Sequence, residues 1–562
     1  MDSLSLTTNV IFGTSDGTPF IIGLYLAVTL GIGLYAARYV KSLADYIFAG
    51  RSLPLWLVMP TTFALWFGAE TVMGASHAMA NDGIGWDVLV DPIGAAFCLV
   101  AFGLFYARPL YRTGNLTIMD FYTDRYGPSA GMFSASINAP SYLFWVGAQL
   151  FAFGVVIEHV FGLSLIPAIM IGAIIIVIYT MRGGLRAITI TEFLEMIVIV
   201  ICLFVTFVVM AGQLDGGFWG AFSNFQAEGK MNIFASIDPA ESSSGLLGLG
   251  IIEFFALLLA VGAGSLPSQD LYERANSAKT EDVGAWGMIG GGLLYMLLGM
   301  IPLGLGVMAL EHYGADQVAG MEDSMILNLV DEFGGWMRVA FYAALISALL
   351  STASAAILAP SILISLNILR PMRPEATDAE LLRTTRRVVF FFAFFSMLLA
   401  MTEWGIHDLL EISSTITLVS LVVPLTAGLY WKRATLAGCL ASTTVGMLVY
   451  AVFSFVSLWQ SSQGIGEWDG ETLAEWAGYA WLFDASFGAD AGWYLPPSMV
   501  GLVASMTTMY VVSRMDEKKQ AAIVAPFERL HDRLTNQGVG SEPLTLSDVS
   551  GPGMDLQDPS QG

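Results

Sequence analysis

Thirteen apolar runs, separated by shorter charged or turn-rich links, organise this 562-residue chain. They lie at about 19–38, 53–79, 89–107, 130–157, 163–181, 188–211, 245–266, 284–310, 336–368, 387–402, 408–431, 434–458 and 495–513. A helix crosses a bilayer with ~20 apolar residues, and most of these runs approach or exceed that length. The pattern therefore predicts an all-α polytopic membrane protein with about 13 transmembrane helices. Residues 1–18 read as a short outer tail, 19–513 as one membrane domain, and 514–562 as a cytoplasmic, largely disordered tail.

Two of the runs are interrupted where a plain lipid-facing helix would be continuous. The first, Leu53 to Met79, holds Pro60, Gly68, Glu70 and Gly74 in its middle. An intramembrane carboxylate costs several kcal/mol unless it is paired or faces a wet cavity, so Glu70 marks a candidate site. The alternative is a kinked helix with Glu70 hydrogen-bonded to a neighbour. The second, 245–274, has Gly262, Gly264 and Pro267 near its end and Glu253 in its apolar part. Five spans separate the two starts, so the two segments enter from opposite sides. Paired broken helices in halves of inverted topology point to a secondary transporter with its ligand site between the repeats.

A third run carries hydroxyls instead of charges. Ser347, Ser351, Thr352 and Ser354 stand among alanines in 341–367. Ser347 and Ser351 share a face at i, i+4, and Thr352 is beside Ser351. Hydroxyls together with carbonyls released by a broken helix form an oxygen cage suited to a hard cation. A Ser/Ala face also serves close helix packing, which is the competing explanation.

Composition narrows the class. At 55% hydrophobic and 13% charged the chain is no soluble globule. Its 24 basic residues against 47 acidic ones disfavour nucleic acid and anionic lipid as partners. With the N-terminus outside, every Lys and Arg except Lys230 and Arg338 falls on the cytoplasmic side. That bias predicts a multi-pass protein of the cell membrane with N-terminus out and C-terminus in. Cys98, Cys202 and Cys439 all lie in apolar runs and read as small buried hydrophobes. The N-terminal residues lack the basic region of a signal peptide. Five scattered histidines without metal-ligand spacing, and no G-x-x-x-x-G-K-[ST] loop, argue against a membrane enzyme or an ATP-driven pump. The Gly290-Gly291-Gly292 run reads as a helix-packing surface.

Several stretches resemble the sodium:solute symporter family, which includes the sodium/glucose, sodium/proline and high-affinity choline transporters. They are Asp45-Tyr46-Ile47-Phe48-Ala49-Gly50-Arg51-Ser52-Leu53-Pro54, then Arg182-Gly183-Gly184-Leu185-Arg186-Ala187 with Thr191-Glu192. Pro267, Gln269 and Arg274 and the serine-rich ninth span complete them. The resemblance covers about 20–460. It implies a LeuT-type core of inverted five-helix repeats, about 53–211 and 245–431, and sodium-coupled symport of a small solute by alternating access. It further implies a Na⁺ cage of the Ala64, Phe67 and Ala348 carbonyls with the Ser351 and Thr352 hydroxyls. Glu192, where the family has an aspartate, would lie near the inner exit of the ion. The choline branch is the most similar, through Ala64-Leu65-Trp66-Phe67-Gly68, Asp91-Pro92-Ile93-Gly94, Tyr106-Ala107-Arg108-Pro109 and Phe144-Trp145. There Trp66 and Trp145 match an aromatic cage, whereas Ala95 and Ser268 stand in place of aromatics. Thr71, Ser268 and Gln269 join Trp66 and Trp145 as expected solute contacts, with Glu70, Asp91 and Glu253 as possible counter-charges. The solute is then a choline-like cation, a betaine-like zwitterion or an amino acid. A transporter-like solute sensor and a Na⁺-independent uniporter or channel are the alternatives.

Overall fold

Long apolar runs joined by short polar links leave the backbone one way to satisfy its hydrogen bonds in lipid, which is the helix. The computed structural model describes residues 17–40, 43–84, 86–231, 249–321, 324–402, 406–462 and 496–516. Its principal helices are α1 (Thr18–Ala36), α2 (Leu55–Ala64), α3 (Ala75–Asp82), α4 (Trp86–Ala101), α5 (Pro128–Phe161), α6 (Leu165–Gln213) and α7 (Leu249–Gly262). They continue as α8 (Gln269–Ser277), α9 (Glu281–Tyr313), α10 (Gly335–Leu363), α11 (Asp378–Ala400), α12 (Ile406–Thr417), α13 (Leu436–Ser462) and α14 (Pro497–Met515). Over its described residues each expected apolar run is helical, apart from the interruptions set out below. Eight helical stretches among the described residues are long and apolar enough to cross a membrane. The expected outer loop 459–494 and the C-terminal tail lie almost wholly outside the described residues, as does the Glu253 side chain.

The expected spans 163–181 and 188–211 are the two helical segments of α6, which meet at a kink at Gly184. That residue has φ 53°, ψ −173°, a backbone conformation open to glycine and strained for other residues. A Cβ there would also stand 2.8 Å from the Tyr46 carbonyl.

Both anticipated interruptions are present. The first separates α2, ending at Ala64, from a wide helical turn at Glu70–Gly74 that leads into α3. The second separates α7, ending at Gly262, from α8, starting at Gln269. Their outer ends are clipped together. Leu53 N donates to the Ser277 carbonyl and Lys279 N to the Leu53 carbonyl, both at 3.0 Å, a lone parallel bridge between the lead-in to α2 and the exit of α8.

Close packing holds the broken elements in place. Against α2 lies α9, with Gly290 facing Met59 and Gly291 facing Thr62; a Cβ on Gly291 would sit 2.7 Å from Thr62 Cβ. α10, buried along most of its length, packs on α6 and α5. α8 departs from the sequence expectation. Its residues Gln269 to Ser277 are polar enough to suit a cytoplasmic link, yet all of them are buried.

Candidate functional site

The oxygen-rich centre is built where α10 crosses the first interruption. Ser351 Oγ lies 3.0 Å from the Ala64 carbonyl oxygen and 2.9 Å from that of Ala348, donating to both. Next to it the Thr352 hydroxyl is buried without a hydrogen-bond partner among the described residues. It faces Gly68: a Cβ on Gly68 would lie 3.1 Å from Thr352 Oγ1, 3.0 Å from Glu70 Oε2 and 2.7 Å from Gln149 Oε1. Gln149 ties that corner, donating to Glu70 at 2.7 Å and accepting from Ala69 N at 3.3 Å. Glu70 thus has the neighbour that the kinked-helix alternative required. A buried hydroxyl without a partner costs about 1–3 kcal/mol, and a cation among these oxygens would remove that cost. Phe67 is buried between Ala64 and Gly68, its ring against Phe63 and Tyr295 with centroids 4.7 and 5.6 Å away. Ser347 does not join this group, because its hydroxyl meets Tyr25 OH at 2.5 Å and donates to the Ala343 carbonyl. The i, i+4 spacing did not bring its hydroxyl into the group.

The two interruptions meet at Trp66. Its indole Nε1 donates to Asp270 Oδ2 at 2.8 Å, linking the first break to the first turn of α8. Tyr142 OH donates to the other oxygen of the same carboxylate. The Trp66 and Trp145 rings stand edge to face with centroids 6.3 Å apart, and Tyr142 lies 5.8 Å from Trp145. Trp66, Trp145 and Tyr142 with Asp270 form one cluster, with Ser268 at the N-terminus of α8 beside it. Sequence reading names both tryptophans and Ser268 as expected solute contacts. It missed Tyr142 and Asp270, although Asp270 directly follows Pro267-Ser268-Gln269, the one acid beside the second helix break.

Other expected contacts have different surroundings. Thr71 shares a hydrogen bond with Tyr295 OH, which also donates to the Trp66 carbonyl at 3.2 Å, so Thr71 braces the broken backbone. Gln269 is fully buried with its amide engaged: Oε1 accepts from Ile118 N and Nε2 donates to Glu273, each at 2.9 Å. As an expected solute contact it is corrected to a capping residue for helix Ile118–Tyr126. Glu192 forms a buried ion pair with Arg274, which also donates to Thr189 Oγ1 at 3.2 Å. Sequence reading had put Arg274 in a cytoplasmic link. It is 1% exposed and joins α6 of the first half to α8 of the second.

Two interrupted helices whose breaks touch, crossed by an unbroken hydroxyl-bearing helix, define a LeuT-type transporter. The chain belongs to the sodium:solute symporter family, whose family model matches residues 46–446. By class it is a multi-pass, sodium-coupled membrane symporter and not an enzyme. It is 23% identical over 534 residues to the high-affinity choline transporter 1 of Caenorhabditis elegans, covering 89% of this chain and 85% of the relative. To the sodium/proline symporter of Haemophilus influenzae it is 26% identical over 459 residues, covering 77% and 86%. Among solved structures it is similar to a Na⁺-coupled sialic acid symporter in a substrate-bound outward-open state, with TM-score 0.71 and 16% identity over 89% of this chain and 98% of that one.

Proposed function

We propose that the protein imports a small organic solute bearing a charged nitrogen, a choline-like cation, betaine-like zwitterion or amino acid, together with Na⁺. The choline and proline transporter relatives support this class of solute. The observation that carries the sodium assignment is the Ser351 hydroxyl 3.0 Å from the Ala64 carbonyl, beside a Thr352 hydroxyl with no partner. In this reading Ala64, Phe67 and Ala348 contribute carbonyls and Ser351 and Thr352 hydroxyls to Na⁺. Trp66, Trp145, Tyr142 and Ser268 line the solute pocket, and Thr71 braces it. Glu192 with Arg274 lies on the inner side of the ion. The N-terminus faces outside and the C-terminus the cytoplasm.

Coupling follows from shared elements. Ala64 of the cage ends α2 and Trp66 of the pocket lies two residues on, in the break, so ordering this junction for Na⁺ also orders it for the solute. Each ligand then favours the other by the same factor, as linkage requires. One charge moving down ~100 mV contributes about 2.3 kcal/mol, and a tenfold Na⁺ gradient about 1.4 kcal/mol. For a neutral solute with one Na⁺, their sum corresponds to about 500-fold accumulation.

The test is uptake of labelled choline, glycine betaine and proline by vesicles holding the full chain, with an imposed Na⁺ gradient or K⁺ in its place. At least one solute is expected to enter tenfold or more faster with Na⁺; equal rates in K⁺ for all three would contradict the reading. Trp66→Leu is expected to raise the half-saturating solute concentration about 5- to 30-fold, the value of a desolvated cation–π contact. Na⁺-induced thermal stabilisation should remain.

A further inference from the structure

We infer that Asp270 is a specificity-determining residue of the solute pocket, selecting an organic cation over zwitterionic and uncharged solutes. This rests on the pocket assignment above. Asp270 is 2% exposed, and both carboxylate oxygens are held by side chains of the aromatic cluster, Oδ2 by Trp66 Nε1 and Oδ1 by Tyr142 OH. Those donors are neutral. They fix the direction of the carboxylate without cancelling its charge.

No lysine or arginine forms an ion pair with Asp270 among the described residues. The base on the same helix, Arg274, is ion-paired with Glu192 and bonded to Thr189, and reaches Asp270 through its field without a direct bond. The neighbouring acid, Glu273, accepts from the Gln269 amide and feels Arg274 through its field. A buried charge of one sign is stabilised by a counter-charge, and an aromatic ring of the cluster attracts a cation placed over a face that no other ring covers. The field in the pocket therefore favours a cation from both sources.

The same geometry disfavours a carboxylate-bearing solute. In folds with broken helices, the exposed N-terminus of a half-helix receives the anionic group of a substrate. At the N-terminus of α8 the Gln269 and Asp270 amides already donate to Tyr142 OH, at 2.9 and 3.4 Å. Asp270 itself supplies a negative charge in that first turn. A zwitterion would bring its carboxylate to a place where the donors are engaged and an acid already stands.

Three probes of similar shape separate the possibilities: choline, its uncharged carbon isostere 3,3-dimethylbutan-1-ol, and glycine betaine. The readout is thermal stabilisation of the purified full-length protein in Na⁺. Choline is expected to act at a concentration at least tenfold below either other probe, and Asp270→Asn to reduce that preference to under threefold. Asp270→Glu should keep part of it. Stabilisation by Na⁺ alone, expected in wild type and Asp270→Asn but not in Ser351→Ala/Thr352→Ala, reports folding and the ion site independently. An undiminished choline preference in Asp270→Asn, a wild-type preference for betaine or the isostere, or no response to any probe with Na⁺ stabilisation intact overturns the inference and leaves the sodium site standing. Loss of Na⁺ stabilisation in wild type overturns the broader reading and this one with it. Should Asp270→Asn not fold, the wild-type ratio of choline to its isostere decides: near unity, it contradicts the role.

Discussion

Glu192 and Arg274 show what a single contact does in this bundle, because each is almost fully buried and each is the other's counter-charge. Removing one partner leaves an uncompensated charge in a low-dielectric interior, at a cost of about 3–5 kcal/mol. Arg274→Ala is therefore expected to lower the melting temperature of purified protein substantially. Adding Glu192→Ala should restore part of the loss, which a double-mutant cycle measures; purely additive losses would show that the pair is not coupled. At this scale the sequence was partly legible. Ser351 is legible because a hydroxyl-bearing helix leaves a local mark, whereas Ala64 is named only through the family resemblance; Ser351 Oγ and the Ala64 carbonyl oxygen lie 3.0 Å apart. Asp270 was missed because an acid near Arg274 and Lys279 looks like part of a solvated link when only charge is counted. Gln269 was misassigned because its amide could serve a solute or a helix end equally well; only the fold brings Ile118 N to it.

Among the elements, α9 acts as a plate against which the first interrupted helix rests. Its glycines let the backbones of α9 and α2 approach, and a side chain at Gly291 would meet Thr62. Gly291→Leu is expected to force the two apart at about 1–3 kcal/mol, as overpacking of a filled interface does. Since α2 leads directly into the Ala64 break, the same variant should also lower Na⁺-driven uptake. A melting temperature and uptake rate equal to wild type would contradict that packing role. Helix existence was readable from apolar runs, and the Gly290-Gly291-Gly292 surface from its composition. The charges of Arg182 and Arg186 mark the link between two spans, and the kink between their helices falls at Gly184. Burial was less legible: α8 is polar enough to read as a link, yet it is buried.

For the molecule as a whole, the meeting of its two interruptions is the organising feature. Trp66 from the first half touches Asp270 from the second, and Ala64, two residues earlier, touches α10. In the proposed reading the ion and solute sites are neighbours along this junction, and coupling them needs no separate relay. Inverted topology was inferable by counting spans between Gly68 and Pro267; that the two breaks touch was not, because sequence carries no direct record of long-range contacts.

The most direct measurement is the Na⁺ concentration giving half-maximal solute uptake in vesicles containing wild type or Ser351→Ala/Thr352→Ala. The account predicts an increase of tenfold or more in the double variant, with the solute half-saturation at saturating Na⁺ changed far less. An unaltered Na⁺ requirement in a folded, transporting double variant would contradict the assignment of these hydroxyls to the ion.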